Sequence, residues 1–352
     1  MSEKKEILIV GAGLAGISIA WHLAKKNISF DVIDCGINHS SVIAAGLINP
    51  VVFRRMAKSW RVDEFLPYAN AFYEEMSSEL GQQYFHPIPI RRGFAHQQEY
   101  DLWVQKQDDP GYQAYLKKLD EEDIHFDDLK NICGTGQVLG AGYVSTKNFL
   151  EDAKKWLTSN HKLNTEKFDY KLLNPETGTY KSNQYDLIIF CEGYQGLDNP
   201  WFNYLPLQAT KGETLSIESN ELKTVETLNR KCFILPIEGT KFKVGATYVW
   251  NDRTLNTTEE GKNELIKLLD LLISKNYTIT EHQAGIRPTV LDRRPLIGKH
   301  PVFHKLTIFN GLGTKGYLMA PLLAKECIEY LIDDKTLDKE IDIKRYQSKL
   351  NN

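Results

Sequence analysis

Apolar positions along this chain fall into short continuous runs and into helical stripes, and that mixture predicts an α/β protein. EILIV, residues 6–10, is a buried-strand run that ends in glycines. A helical stretch from Leu14 to about Lys26 follows, then a second strand, FDVID, ending at Asp34. From Val62 onward, Phe65, Leu66, Ala69, Phe72, Tyr73 and Met76 recur at helical spacing, which predicts an amphipathic helix with those side chains in the core. Residues 84–95 (YFHPIPIRRGFA) predict a strand with a proline-marked edge, and residues 96–109 and 111–123 predict two polar-faced helices around Pro110 and Gly111. A turn and a helix are expected over 140–157, with Ser145 or Thr146 as N-cap. A hairpin-like stretch over 174–181 leads to Leu187–Phe190, a continuous apolar run ended by Gly193 that suits a parallel strand in the same sheet as the first two. TLSI, CFILPI and KFKVGATYVW, between Leu207 and Trp250, suggest a second, mainly antiparallel sheet, and residues 264–276 an amphipathic helix. Near the end, the strand LTIF feeds through Gly311, Gly313 and Gly316 into a long helix.

The strand–glycine–helix–strand unit at the start carries the first chemistry. GAGLAG places Gly11 at the turn out of the strand and Gly13 where a backbone can approach a pyrophosphate. Gly16 lets the helix pack on the strand, and the helix N-terminus around Leu14 and Ala15 presents N–H groups to the phosphates. Asp34 is placed to accept hydrogen bonds from a ribose, and its charge disfavours a 2′-phosphate. The alternative is a chance glycine-rich turn. Residues 35–52 are small and Gly/Ala-rich, so Ala45, Gly46 and Leu47 can pass close to a flat ligand, or the segment is a plain surface loop. Gly193 ends the third strand in the same way. Arg54, Arg55, Lys58 and Arg61 form a basic cluster, read either as a solvated face or as a contact for an anionic group.

Composition narrows the class. The chain has 352 residues, 42% apolar and 25% charged, which allows two domains with sizeable cores. A net charge of −3 and a pI near 6.3 give no field that favours nucleic acid, so no nucleic-acid partner is expected. Five scattered cysteines without a CxxC point to reduced thiols rather than a disulfide framework or a zinc site. None of the nine histidines has metal-ligand spacing, so no metal is expected. The first strand begins near residue 6, leaving no room for a signal peptide, and no apolar run reaches membrane-span length; a cytoplasmic protein is expected.

Four segments in order resemble the D-amino acid oxidase/glycine oxidase superfamily of FAD-dependent oxidoreductases: GAGLAG, AAGLINP, DLIIFCEG, and GIRPTVLDRRPLIG followed by NGLGTKGYLMAP. The resemblance implies a Rossmann-like FAD-binding domain with an inserted, mainly antiparallel β-sheet substrate domain. The expected division is 1–81, 138–206 and 284–352 for FAD, and 82–137 and 207–283 for substrate. It implies that Arg287 of the GIRP segment binds a substrate carboxylate, a task that suits a planar two-donor fork; the alternative for this residue is an ion pair with Asp292. It further implies that Gly311, Gly313, Thr314, Lys315 and Gly316 face the pyrimidine side of the flavin, with Lys315 either stabilising charge there or pointing to solvent. No cysteine lies in 306–320, so the FAD is expected to be non-covalent. Glu192 departs from the small residues common in relatives at that point. Tyr248 lies where relatives approach substrate, although Tyr248 and Trp250 also suit packing within a sheet.

The resulting expectation is a flavoenzyme that oxidises the C–N bond of a small amino acid, or of a secondary amine carrying a carboxylate, by hydride transfer. Arg287, Tyr248 and Lys315 are its catalytic candidates, and the electron acceptor is left open between oxygen, a quinone and another carrier. Two rivals stand beside it. GLGTKG…AP also resembles the flavin domain of the bifunctional tRNA wobble-uridine-modifying enzyme, for which Arg54–Arg61, Arg91–Arg92 and Arg293–Arg294 are the only electrostatic support. The other is a non-catalytic FAD-binding subunit of a larger dehydrogenase.

Overall fold

Two sheets organise the chain, seen in a computed structural model that describes residues 6–37, 39–130, 132–160 and 162–350. Residues 1–5, on which the expectation of no leader rests, lie outside the described residues, as do Asn38 of the 35–52 segment and the histidine at 161.

The first sheet has six strands in the order Lys162–Thr165, Ser29–Asp34, Glu6–Val10, Leu187–Phe190, Leu306–Asn310 and Leu296–Lys299. All neighbours are parallel except the last pair. Alternation along Glu6–Val10 sends Ile7 and Ile9 to one face and Leu8 and Val10 to the other. Ile7 and Ile9 meet a helical layer formed by Leu14–Lys25, Val62–Leu80, Thr146–Asn160 and Gly316–Ile332. Leu8 and Val10 meet Phe168, Tyr180 and Phe202 on the opposite side. The apolar run Leu187–Phe190 pairs directly with Glu6–Val10, which explains why it lacks a polar face.

The second sheet has eight strands and is mainly antiparallel. Its spine is Leu207–Glu218, paired along its length with Thr278–Val290 on one edge, and with Lys241–Gly245 and Val249–Trp250 on the other. The helix Glu259–Leu272 packs Leu265, Leu269 and Leu272 against Leu215, Ile217 and Val244 of this sheet. That helix starts five residues before the expected 264, because Thr258 caps it by accepting from the Gly261 N–H at 3.0 Å.

Two expectations need correction. Residues 111–123 form turns, not an α-helix: Leu116 bridges to Val138, and Lys117 N–H donates to the Gln137 carbonyl at 2.9 Å. The backbone groups of this segment are thus satisfied by an edge strand, which competes successfully with helix formation. The run 84–95 is also not one strand. Phe85–Pro87 and Ile90–Gly93 belong to different sheets, with Ile88 and Pro89 at the switch.

Candidate active site

Both sheets deliver residues to one cavity of about 870 Å3. Gly11, Gly13, Leu14, Ala15 and Asp34 line it from the first sheet, and Gly212, Thr214, Tyr248, Gly285 and Arg287 line it from the second.

The glycine turn is built for close approach. Gly11 has φ +103°, and a Cβ there would lie 2.6 Å from the Cys191 carbonyl oxygen. A Cβ on Gly16 would lie 1.8 Å from the Gly11 carbonyl oxygen, so Gly16 serves helix packing and does not itself line the cavity. Helix Leu14–Lys25 has Gly13 as N-cap, which brings no capping side chain, and Gly13, Leu14 and Ala15 at its start line the cavity. Asp34 accepts from Ala12 N–H at 3.0 Å through Oδ1, and from Lys154 Nζ at 2.7 Å and Gly36 N–H at 3.2 Å through Oδ2. Lys154, on the helix Thr146–Asn160, thus fixes the Asp34 carboxylate at the cavity wall.

The 35–52 segment also reaches the cavity. Ala44, Ala45, Gly46, Leu47 and Asn49 line the cavity, and Gly46 has φ +67° with the Val144 carbonyl where a Cβ would go. The closing turn adds Leu312, Gly313, Thr314, Lys315 and Gly316. Gly311 lies behind this wall, against Val290 and Leu296. Gly193, at φ +58°, lines the cavity and accepts from Asn310 Nδ2 at 2.8 Å.

Three ionisable groups are perturbed by this setting. Arg287 is half-buried, and burial pulls its guanidinium below the ordinary value. Its Nη1 donates to the Thr247 carbonyl at 3.3 Å, and its Cζ lies 5.5 Å from the centre of the Tyr248 ring. Asp292 is not its partner; that carboxylate accepts from Tyr346 at 2.6 Å, from Arg345 at 3.2 Å and from Arg294 N–H at 2.9 Å. Lys315 points inward rather than to solvent, donating to Asn49 O at 2.8 Å and Ser59 Oγ at 2.6 Å. Burial lowers it to about 8. Glu192 accepts from Tyr170 at 2.5 Å and Asn199 at 2.9 Å, and burial raises it to about 7.

These features fit FAD: a glycine turn leading into a helix N-terminus with an acidic group nearby for the adenosine half, and a second glycine turn with a buried lysine for the ring. The chain matches the family described as FAD dependent oxidoreductase over residues 6–330. It belongs to this family. As a member it is an FAD-dependent oxidoreductase, an enzyme rather than a non-catalytic subunit. Glycine oxidase of Bacillus subtilis (strain 168) is 23% identical, over 97% of this chain and 95% of that protein. The tRNA 5-methylaminomethyl-2-thiouridine biosynthesis bifunctional protein of Campylobacter jejuni subsp. doylei is 23% identical over 84% of this chain, which spans 46% of that relative's length. The crystal structure of glycine oxidase from Geobacillus kaustophilus superposes with a TM-score of 0.81 at 18% identity, covering 97% of this chain and 98% of that one.

Several contributors were not among the sequence candidates. Gly212 and Gly285 form the floor beside Arg287, Ser41 accepts the Leu14 N–H at 3.3 Å, and Ser59 receives Lys315. Their sequence contexts are ordinary; only strand pairing and loop docking bring them together. Of the basic clusters, Arg61 is paired with Glu64 at 2.8 Å, Arg91 with Glu226 at 2.7 Å and Arg294 with Glu340 at 3.0 Å. Among the described residues, no helix is long and apolar enough to cross a membrane.

Proposed function

We propose that this flavoenzyme oxidises the C–N bond of a small amino acid, or of a secondary amine that carries a carboxylate. The observation that carries the proposal is Arg287: a half-buried guanidinium lining the cavity, with no carboxylate paired to it among the described residues. A buried cation without a counter-ion is costly, and a substrate carboxylate supplies the missing charge in the two-donor geometry an arginine prefers. The name of the B. subtilis relative points to the same substrate class.

In this reading the Thr247 carbonyl and the Tyr248 ring hold the guanidinium in one orientation, leaving Nη2 and the outer edge for the carboxylate. Tyr248 lines the substrate end, and Gly212, whose missing side chain leaves room for the Arg287 guanidinium, lies beside it. FAD, held without a covalent link, would supply the two-electron acceptor for this oxidation when bound. The substrate nitrogen must be unprotonated, so that its lone pair forms the imine as the C–H bond breaks; water then hydrolyses the imine to a carbonyl compound and an amine. Lys315 and the backbone N–H groups of the 311–316 turn would stabilise negative charge that develops beside them. We take residues 1–81, 138–206 and 284–352 as the cofactor-holding unit and 82–137 with 207–283 as the unit that shapes the substrate end. Reconstitution with FAD followed by anaerobic addition of glycine, sarcosine and other amino acids tests the proposal, which requires at least one of them to bleach the flavin.

The matched relatives of the tRNA-modifying class favour a second reading, in which the amine belongs to a modified nucleoside. The carboxylate pairing of Arg61, Arg91 and Arg294 weakens the basic footprint that reading needs. Salt-sensitive retention on immobilised tRNA would support it.

A further inference from the structure

We infer that the substrate carries a planar aromatic substituent, which stacks on Tyr248 and Trp250 while its carboxylate is held by Arg287. The inference rests on the reading of Arg287 given above and extends it to the substrate's other end.

Tyr248 and Trp250 are 45% and 46% exposed, and Trp250 lies in the edge strand that pairs with Thr210. Their ring centres lie 5.1 Å apart in an edge-to-face arrangement, and Arg287 lies on the Tyr248 side of the pair. The aromatic surface therefore begins at the carboxylate anchor and runs outward, continuous with the cavity that Tyr248 lines. Trp250 pairs with Thr210 and so shares the strand face of Gly212, which opens on the cavity, whereas Val249 pairs with Lys211 on the other face.

This loop is built from beneath. Lys211 and Glu213, 1% and 2% exposed, project from the side of strand Leu207–Glu218 opposite Gly212, the residue that opens on the cavity. Lys211 Nζ donates to Asp252 Oδ2 at 3.1 Å and to Thr254 Oγ1 at 3.0 Å. Glu213 accepts from Thr258 N–H at 3.1 Å and Thr258 Oγ1 at 2.9 Å, and its own N–H donates to Thr247 Oγ1 at 2.8 Å. Two buried charged side chains thus hold residues 247–258 in place, and that segment presents Tyr248 and Trp250 beside exposed polar residues, Asn251 and Arg253 among them. A fixed edge-to-face pair whose rings remain about half exposed favours a flat ring over an aliphatic group of equal size, because offset stacking adds to area burial. The ring could be attached at the substrate nitrogen or at its α-carbon, and both place an aromatic group beyond the carboxylate.

The test uses the FAD-loaded enzyme. Perturbation of the oxidised flavin spectrum is titrated with acetate, cyclohexylacetate and phenylacetate, and anaerobic flavin reduction is measured with sarcosine, N-benzylglycine, and both enantiomers of alanine and phenylalanine. Phenylacetate is expected to bind roughly tenfold more tightly than acetate and roughly threefold more tightly than cyclohexylacetate. Trp250→Ala should remove most of both ratios and Trp250→Phe retain them. Faster reduction by N-benzylglycine than by sarcosine assigns the ring to nitrogen, and faster reduction by phenylalanine than by alanine assigns it to the α-carbon. Equal binding of the three carboxylates, or ratios unchanged in Trp250→Ala, overturns the inference. So does a concentration-dependent dimer in sedimentation that Trp250→Ala dissociates, since the patch would then meet a second copy of the chain. If the phenylacetate preference and its dependence on Trp250 hold while no amine reduces the flavin, the aromatic subsite stands and the amine-oxidation reading fails.

Discussion

Gly212 leaves the space that Arg287 occupies: a Cβ on Gly212 would fall 2.0 Å from Arg287 Nη2 and 2.3 Å from Cζ. The glycine lies on strand Leu207–Glu218 and the arginine on its antiparallel neighbour, where Gly212 pairs with Gly285 and Thr210 with Arg287. Gly212→Ala must therefore turn the guanidinium away from its contacts with the Thr247 carbonyl and the Tyr248 ring. Losing well-placed charge-assisted hydrogen bonds costs about 1.5–3 kcal/mol, so substrate KM should rise roughly ten- to a hundredfold. FAD affinity, measured by fluorescence titration, should change little, because the substitution lies beside Arg287, at the proposed substrate end.

Asp34 is held by two backbone N–H groups and by Lys154, which fix its carboxylate at the cavity wall for the ribose role proposed for it. Asp34→Ala should weaken FAD binding by about 1.5–3 kcal/mol, again roughly ten- to a hundredfold. Lys154→Met should weaken it less, since Ala12 and Gly36 still hold the carboxylate. The check is the dissociation constant of FAD; substrate KM at saturating FAD should be unchanged in both variants.

Lys315 makes stability depend on pH. Its ordinary value is 10.5 and burial lowers it to about 8 in the folded chain. Between those values the unfolded chain binds the extra proton, so stability of the FAD-free protein rises as pH rises from about 8 to 10.5. The gain amounts to about 3 kcal/mol relative to Lys315→Met, read from denaturant titrations at several pH values. With FAD bound, the ammonium favours the reduced, more negative form, so Lys315→Met should shift the flavin midpoint potential to more negative values.

Glu192 has the opposite sense. Burial raises it from 4.5 to about 7, so the folded chain holds a proton that the unfolded chain has released. Stability of the FAD-free protein should fall as pH rises from about 4.5 to 7, by up to about 3 kcal/mol, and Glu192→Gln should remove that slope. Because Glu192 lines the cavity beside Gly193, its charged form also opposes a phosphate-bearing ligand. FAD affinity should be lower at pH 8 than at pH 6 in the native protein and flatter in Glu192→Gln.

Much of this site is legible in the order of residues, because its cofactor half is made of local motifs. Gly11, Gly13, Gly16 and Asp34 belong to one strand–helix–strand unit, and the run Leu187–Phe190 announces its place in the same sheet by lacking any polar position. The substrate half depends on contacts between distant segments. Gly212 sits in a strand of ordinary sequence, and its role appears only when residues 207–218 pair with 278–290. Lys315 has two readings in sequence, inward or outward, and the choice is made by Asn49 and Ser59, more than two hundred residues upstream. The segment 111–123 has helical spacing, but an open edge at Thr135–Val138 claims its backbone instead.

Arg287 is the residue on which the functional account depends, and anaerobic stopped-flow reduction of the flavin tests it most directly. The native enzyme, mixed with an amino acid or secondary amine that bleaches its flavin, should show a reduction rate that saturates with substrate. Arg287→Met should raise the half-saturating concentration or abolish saturation, with kcat/KM for reduction lowered by about 3 kcal/mol or more, at least a hundredfold, and Arg287→Lys should recover only part of it. Amines of the same size without a carboxylate should reduce both forms equally slowly. Equal reduction of native and Arg287→Met enzyme by the carboxylate-bearing substrate, or no bleaching by any amine with a carboxylate, would contradict the account.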